Sequence, residues 1–149
     1  ENNLKKLNVV LPNAPEPVGA YVAFKKTNNL LFISGQLPIS GDGKMIKGKI
    51  GKDLSLEDGQ KASKLCVINI LAQVKKALNG DLSKVKNCIK ITGYVNSTDY
   101  FTEQPKVINP ASETLSFVFG NNGKHTRAAI SANSLPLGAS VEIEALFEI

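Results

Sequence analysis

Residues 126–149 read TRAAISANSLPLGASVEIEALFEI, two alternating stretches joined by a connection that carries proline and glycine. Alternation of this kind is the period of a strand with one buried face. The pattern predicts a closing hairpin with Arg127–Ala132 set against Val141–Ala145 and a turn through Ser134–Ala139. Pairing Asn133 with Ser140 puts Ala128, Ile130, Ala132, Val141, Ile143 and Ala145 on one face. Arg127, Ala129, Ser131, Glu142, Glu144 and Leu146 fall on the other, and a slip of one residue would mix the two sets. In this register Arg127 and Glu142 point the same way, towards the face without helices. Glu142 lies four residues from the partner of Arg127, roughly 13 Å at ~3.4 Å per residue. At that separation the two side chains barely meet around a small ligand, so a shared site calls for a neighbouring chain.

Working back along the chain, the stretch LPNAPEPVG should be extended and irregular, because its prolines fix φ and disfavour helix. AYVAFKK, the turn pair Asn28–Asn29 and LLFISGQ read as a hairpin. MIKGKIG reads as a short, weak strand. SLEDGQKASKLCVINILAQVKKALNG is a helix, opened by Ser55 with Asp58 in the capping-box position and stopped by Gly80. KNCIKITGYVNS is a β-branched strand, and Asn109–Pro110 opens a second helix over PASETLSFVFG. The order β-β-(β)-α-β-α-β-β predicts one domain over residues 1–149. It would be an α+β two-layer sandwich, a roughly six-stranded mixed sheet with two helices on one face. The bare face then needs a partner, which points to an oligomer.

Composition narrows the function. The chain is 42% apolar and 21% charged, an ordinary globular balance. No run approaches the ~18–20 apolar residues that span a bilayer, and ENNLKKLNVVLPN lacks the apolar core of a signal peptide. Cys66 and Cys88 stand outside any CxxC and read as buried free thiols of a reducing, cytoplasmic compartment. A single histidine, His125, argues against a zinc site. The +5 charge is carried by scattered lysines without a stacking platform or any tryptophan, which argues against a nucleic-acid partner.

Three blocks carry a resemblance: PVGAYVAF around Tyr21, LLFISGQLPI around Ser34, and TRAAISANSLPLGASVEIEA around Arg127 and Glu142. In these blocks, and in element order over nearly the whole chain, the sequence resembles the Rid family of reactive intermediate deaminases (YjgF or L-PSP endoribonuclease-like proteins). The resemblance implies a chorismate-mutase-like fold, a homotrimer with sites in the clefts between subunits, and no metal or organic cofactor. It implies hydrolysis of small carboxylate-bearing enamines and imines, of the 2-aminoacrylate and 2-iminopropionate type, to 2-oxo acids and ammonia. Arg127 would bind the substrate carboxylate, a task suited to the guanidinium fork. Glu142 would activate the attacking water. Tyr21, Ser34 and Gly35 would line the pocket, joined by Asn109 at the start of the second helix. Ala129 stands where the family often has cysteine, Gly19-Ala20-Tyr21 replaces a glycine-proline-tyrosine run, and the stretch from Phe101 to Thr126 is longer than in compact deaminases. These departures mark a separate branch.

Other readings stay open at this level. Arg127 and Glu142 would also serve as partners in an intersubunit ion pair, Ser34 as a hydroxyl satisfying nearby backbone, and Tyr21 as a core or rim aromatic. A non-catalytic carboxylate sensor would keep the arginine clamp without turnover, and an endoribonuclease is the third class. His125 sits in a loop without an obvious Ser or Cys nucleophile nearby in sequence.

Overall fold

The computed structural model describes residues 2–149. The elements are α1 (Asn2–Lys6), β1 (Phe24–Thr27), β2 (Leu30–Gln36), α2 (Leu56–Ala77), β3 (Asn87–Asn96), α3 (Gln104–Phe119), β4 (Thr126–Ala132) and β5 (Val141–Glu148). The first hairpin forms as expected: Thr27 pairs with Leu30 across Asn28–Asn29, and Asn28 takes the left-handed conformation that the tight turn demands (φ 51°). Ser55 caps α2 with a complete capping box, its side chain accepting from the Asp58 N–H while the Asp58 carboxylate accepts from the Ser55 N–H.

The sheet has five strands in the order β1-β2-β5-β3-β4. Helix α2 packs on β2 and β5, and α3 on β3 and β4. The face beneath them carries Leu31, Ile33, Ile91, Val95, Val141, Ile143, Ala145 and Phe147, all buried. Against it α2 lays Ala62, Cys66, Val67, Ile70, Leu71 and Val74. Each large aliphatic or aromatic side chain taken fully out of water there contributes about 1.5–3 kcal/mol. The opposite face has no helix. Phe32 and Ile130 stand nearly half exposed on it (46% and 47%), so the sheet does leave one side open.

Three expectations fail. The sixth strand is absent: residues 45–51 make only single bridges, Met45 to Ile39, Lys47 to Ala139, and Ile50 to Leu54 and Ser97. Gly48 and Gly51, at φ 123° and 91°, turn the backbone out of the extended region there. The second long helix begins at Gln104, not at Asn109–Pro110, and Pro110 lies inside it. A proline in that position removes the N–H that would bond the carbonyl of Lys106. Gln60 of α2 supplies the missing donor, with Nε2 at 3.0 Å from that oxygen. The helix-start signal belonged to the other proline, Pro105, in the first turn.

The third failure matters most. β4 and β5 do not form a hairpin. β3 lies between them, antiparallel to β5 and parallel to β4, with α3 as the crossover. Ile91 is level with Arg127 on one side and Ala145 on the other, and Tyr94 with Ile130 and Glu142. The odd-numbered residues of both outer strands therefore face the helices, and the even-numbered ones face away. Arg127 points to α3; Glu142 points to the open face.

Candidate functional site

Glu142 sits in the middle of the sheet on β5, beside the bulge where the β2 pairing shifts between Ile33 and Gln36. Ser34 and Gly35 occupy that bulge, and such irregularities re-aim side chains at sites. A Cβ on Gly35 would collide with Glu142 Oε1, so only glycine lets the carboxylate lie against the β2 backbone. Among the described residues no hydrogen bond to Glu142 is found, and its carboxyl is half-buried. Burial, with the nearby Glu144 charge second, raises its pKa above the ordinary glutamate value.

Gly35 also lines a small cavity of about 40 Å³ with Pro15, Pro17, Tyr21, Ala23 and Gln36. Tyr21 is half exposed at its rim. Gly35 thus stands between the two, lining the cavity that Tyr21 rims and lying against Glu142. Ser34 is adjacent, but its hydroxyl donates to the carbonyl of Val22 at 2.7 Å and so ties the N-terminal segment to β2. Next to Glu142 on the same face, Glu144 accepts from Tyr94 Oη at 3.3 Å. A larger groove of about 260 Å³ runs over that face, lined by Phe32, Lys90, Thr92, Glu144 and Leu146.

Arg127 and Asn109 are elsewhere. Arg127 lies on the edge strand β4, three residues along β3 from the position level with Glu142 and on the opposite side of the sheet. Its Nη1 donates to Ser112 Oγ at 3.1 Å and its Nη2 to the carbonyl of Pro105 at 3.2 Å, both on α3. Asn109 is exposed within α3 and is not at the start of that helix. The expectation that Arg127 and Glu142 share a face is overturned, because it rested on a strand pairing that does not form. Within one chain the two side chains lie on opposite faces of the sheet.

No sequence pattern marks Ser112. It lies thirteen positions before His125, across a helix end and a turn, yet the two side chains are 2.8 Å apart. The thiols are no substitute chemistry: Cys66 and Cys88 are both buried and free, and burial pushes the Cys88 thiol up to about 12. Among the described residues no group of three or more His, Cys, Asp or Glu is placed to hold a metal ion, and no helix is long and apolar enough to cross a membrane.

The family described as "YjgF/chorismate_mutase-like, putative endoribonuclease" matches residues 1–148. The chain belongs to the YjgF/Rid-like family. Among curated relatives, Protein TCP17 of Trypanosoma cruzi is 40% identical over 148 residues, 99% of this chain and 92% of that protein. Among solved structures, Atu1372 of Agrobacterium tumefaciens, a protein of unknown function, is 48% identical with TM-score 0.92, covering 100% of this chain and 92% of that one. The "putative endoribonuclease" of Shewanella oneidensis MR-1 is 29% identical with TM-score 0.95, covering 99% and 97%. RidA of an Antarctic Psychrobacter species is 25% identical over 92% of this chain and 94% of that one, with TM-score 0.63. This YjgF/Rid-like chain therefore superposes on the Agrobacterium and Shewanella proteins far more closely than on RidA.

Proposed function

We propose that this protein is a hydrolase of small carboxylate-bearing imines and enamines, working without a metal in the clefts of a homotrimer. The observation that carries this reading is Glu142, half-buried, unpaired and with a raised pKa beside the Gly35 backbone. A general base needs that combination of poor solvation and a free lone pair near neutral pH. Glu142 takes a proton from water as the oxygen attacks the C=N carbon, giving a carbinolamine. Nitrogen receives that proton; Glu142 then takes the carbinolamine hydroxyl proton and passes it to nitrogen as the C–N bond breaks, so that ammonia leaves and the C=O of a 2-oxo acid remains. Arg127, at the exposed edge of the sheet, binds the substrate carboxylate. Because it faces α3 while Glu142 faces away, the two meet only if one subunit supplies Arg127 and its neighbour Glu142. The likeness to a RidA protein is consistent with this chemistry.

The test is the decay of 2-iminopropionate generated in situ, followed by ammonia release. The wild-type protein accelerates it, and Arg127→Ala and Glu142→Gln return it to background. A folded wild-type oligomer that leaves the rate unchanged removes the proposal. The placement of Arg127 and Glu142 on opposite faces favours one second reading, a carboxylate-binding protein without turnover. Calorimetric binding of a 2-oxo acid, lost in Arg127→Ala and unaccompanied by imine hydrolysis, selects it.

A further inference from the structure

Ser112, His125 and Arg127 converge where α3 faces β4, on the other side of the sheet from Glu142. His125 Nδ1 lies 2.6 Å from the carbonyl oxygen of Gly123. A carbonyl only accepts, so Nδ1 carries the proton, and in the neutral ring Nε2 is left as an acceptor. The 2.8 Å contact between Ser112 Oγ and Nε2 is therefore Ser112 donating to the imidazole. Arg127 Nη1 donates to the same oxygen. All three side chains are partly exposed.

This is the order of parts that activates a hydroxyl: a nucleophile bonded to a base, and the base held in one tautomer by a third group. Here the third group is a backbone carbonyl, which fixes the ring without adding a negative charge. The guanidinium supplies the electrostatics from the other side, because a cation against Oγ favours the alkoxide as its proton leaves. Two of the five Arg127 N–H groups are engaged, by Ser112 and Pro105, and the others remain for an anionic substrate.

We propose that Ser112 is a nucleophile activated by His125, and that it hydrolyses small esters carrying a carboxylate, which Arg127 holds. The reaction shares Arg127 with the imine chemistry and differs from it in using Ser112 as nucleophile and His125 as base in place of Glu142. Ser112 Oγ bonds to the ester carbon as its proton passes to His125 Nε2. The ester C–O bond breaks and the alkoxide leaves with that proton. Water then attacks the acyl-serine, giving its proton to Nε2. As the acid departs, Ser112 recovers a proton from His125. The sum is ester plus water to acid plus alcohol.

A fluorophosphonate probe tests the step directly, since attack by Ser112 forms an O–P bond and expels fluoride. Peptide mass spectrometry of the folded wild-type protein should find the adduct on Ser112. Ser112→Ala should remove the adduct. His125→Gln, checked for folding by circular dichroism, should slow labelling at least about a hundredfold. Labelling is read as the adduct on Ser112 and imine hydrolysis as ammonia release, so the two proposals fail separately. p-Nitrophenyl esters with a terminal carboxylate should turn over faster than those without one. A wild-type protein that stays unlabelled overturns the proposal. So does labelling that continues after denaturation, or labelling as fast in His125→Gln.

Discussion

Arg127 and Glu142 point to opposite sides of the sheet within one chain, so a site that uses both must draw them from two copies. This makes a complementation experiment quantitative. Arg127→Ala and Glu142→Gln are purified separately, unfolded, and refolded as an equal mixture. In a closed ring each site needs one chain that keeps its arginine and a neighbour that keeps its glutamate. Random assembly supplies each with a chance of about one half, so about one quarter of the sites are intact, whatever the ring size. Imine hydrolysis should therefore rise from background in both parents to about one quarter of that of wild-type protein refolded in parallel. Skewing the mixture either way lowers the yield, because the product of two unequal fractions is smaller. If both residues act from the same chain, no mixture contains an intact site. A mixture that stays at background beside an active refolded wild type refutes the intersubunit reasoning.

The helix boundaries and the charge of Glu142 give further tests. Ser55→Ala removes the cap that accepts from the Asp58 N–H; it should cost about 1 kcal/mol and lower Tm by about 2–4 °C, read by thermal melts. Gln60→Ala leaves the Lys106 carbonyl without its donor and should cost about 1 kcal/mol. In a Pro110→Ala background, where the helix N–H returns, it should cost almost nothing, and a double-mutant cycle by urea denaturation reads the coupling. The folded-state pKa of Glu142 is raised, so its ionisation disfavours the folded chain. That penalty is absent below the unfolded pKa and grows as pH rises through the folded value. Glu142→Gln should then stabilise the protein more near pH 7 than near pH 4, as melts at the two pH values will show. A stabilisation that is larger at the acid end contradicts the assignment.

Local patterns were legible because the forces behind them are local. The capping box of Ser55 and Asp58, the Asn28–Asn29 turn and the broad apolar surface of α2 each depend on residues a few positions apart. The two prolines of α3 show where this stops. Pro105 and Pro110 both look like helix starts, and what lets Pro110 sit inside the helix is Gln60, on a different helix. Ser112 and His125 were invisible as a pair for the same reason, since their contact exists only once α3 has folded back along β4.

Strand parity carries a subtler lesson. Alternation along β4 is real, but it says only that neighbours point oppositely; which set points inward depends on what the strand pairs with. A hairpin would fix that choice through its turn, and with β3 intervening the choice reverses. Three of the seven β4 residues are alanine, so hydrophobicity barely separates its faces, and Ile130 is exposed on the open side. Polar contacts separate them instead. The carbonyl of Pro105 and the hydroxyl of Ser112 accept from the Arg127 guanidinium on the α3 side, and an arginine turned to the bare face would lose both. The same choice that takes Arg127 away from Glu142 brings it to Ser112 and His125. A single reversal of parity thus turns one expected site into two clusters, and it is why the chemistry of this chain must be tested on each side of the sheet.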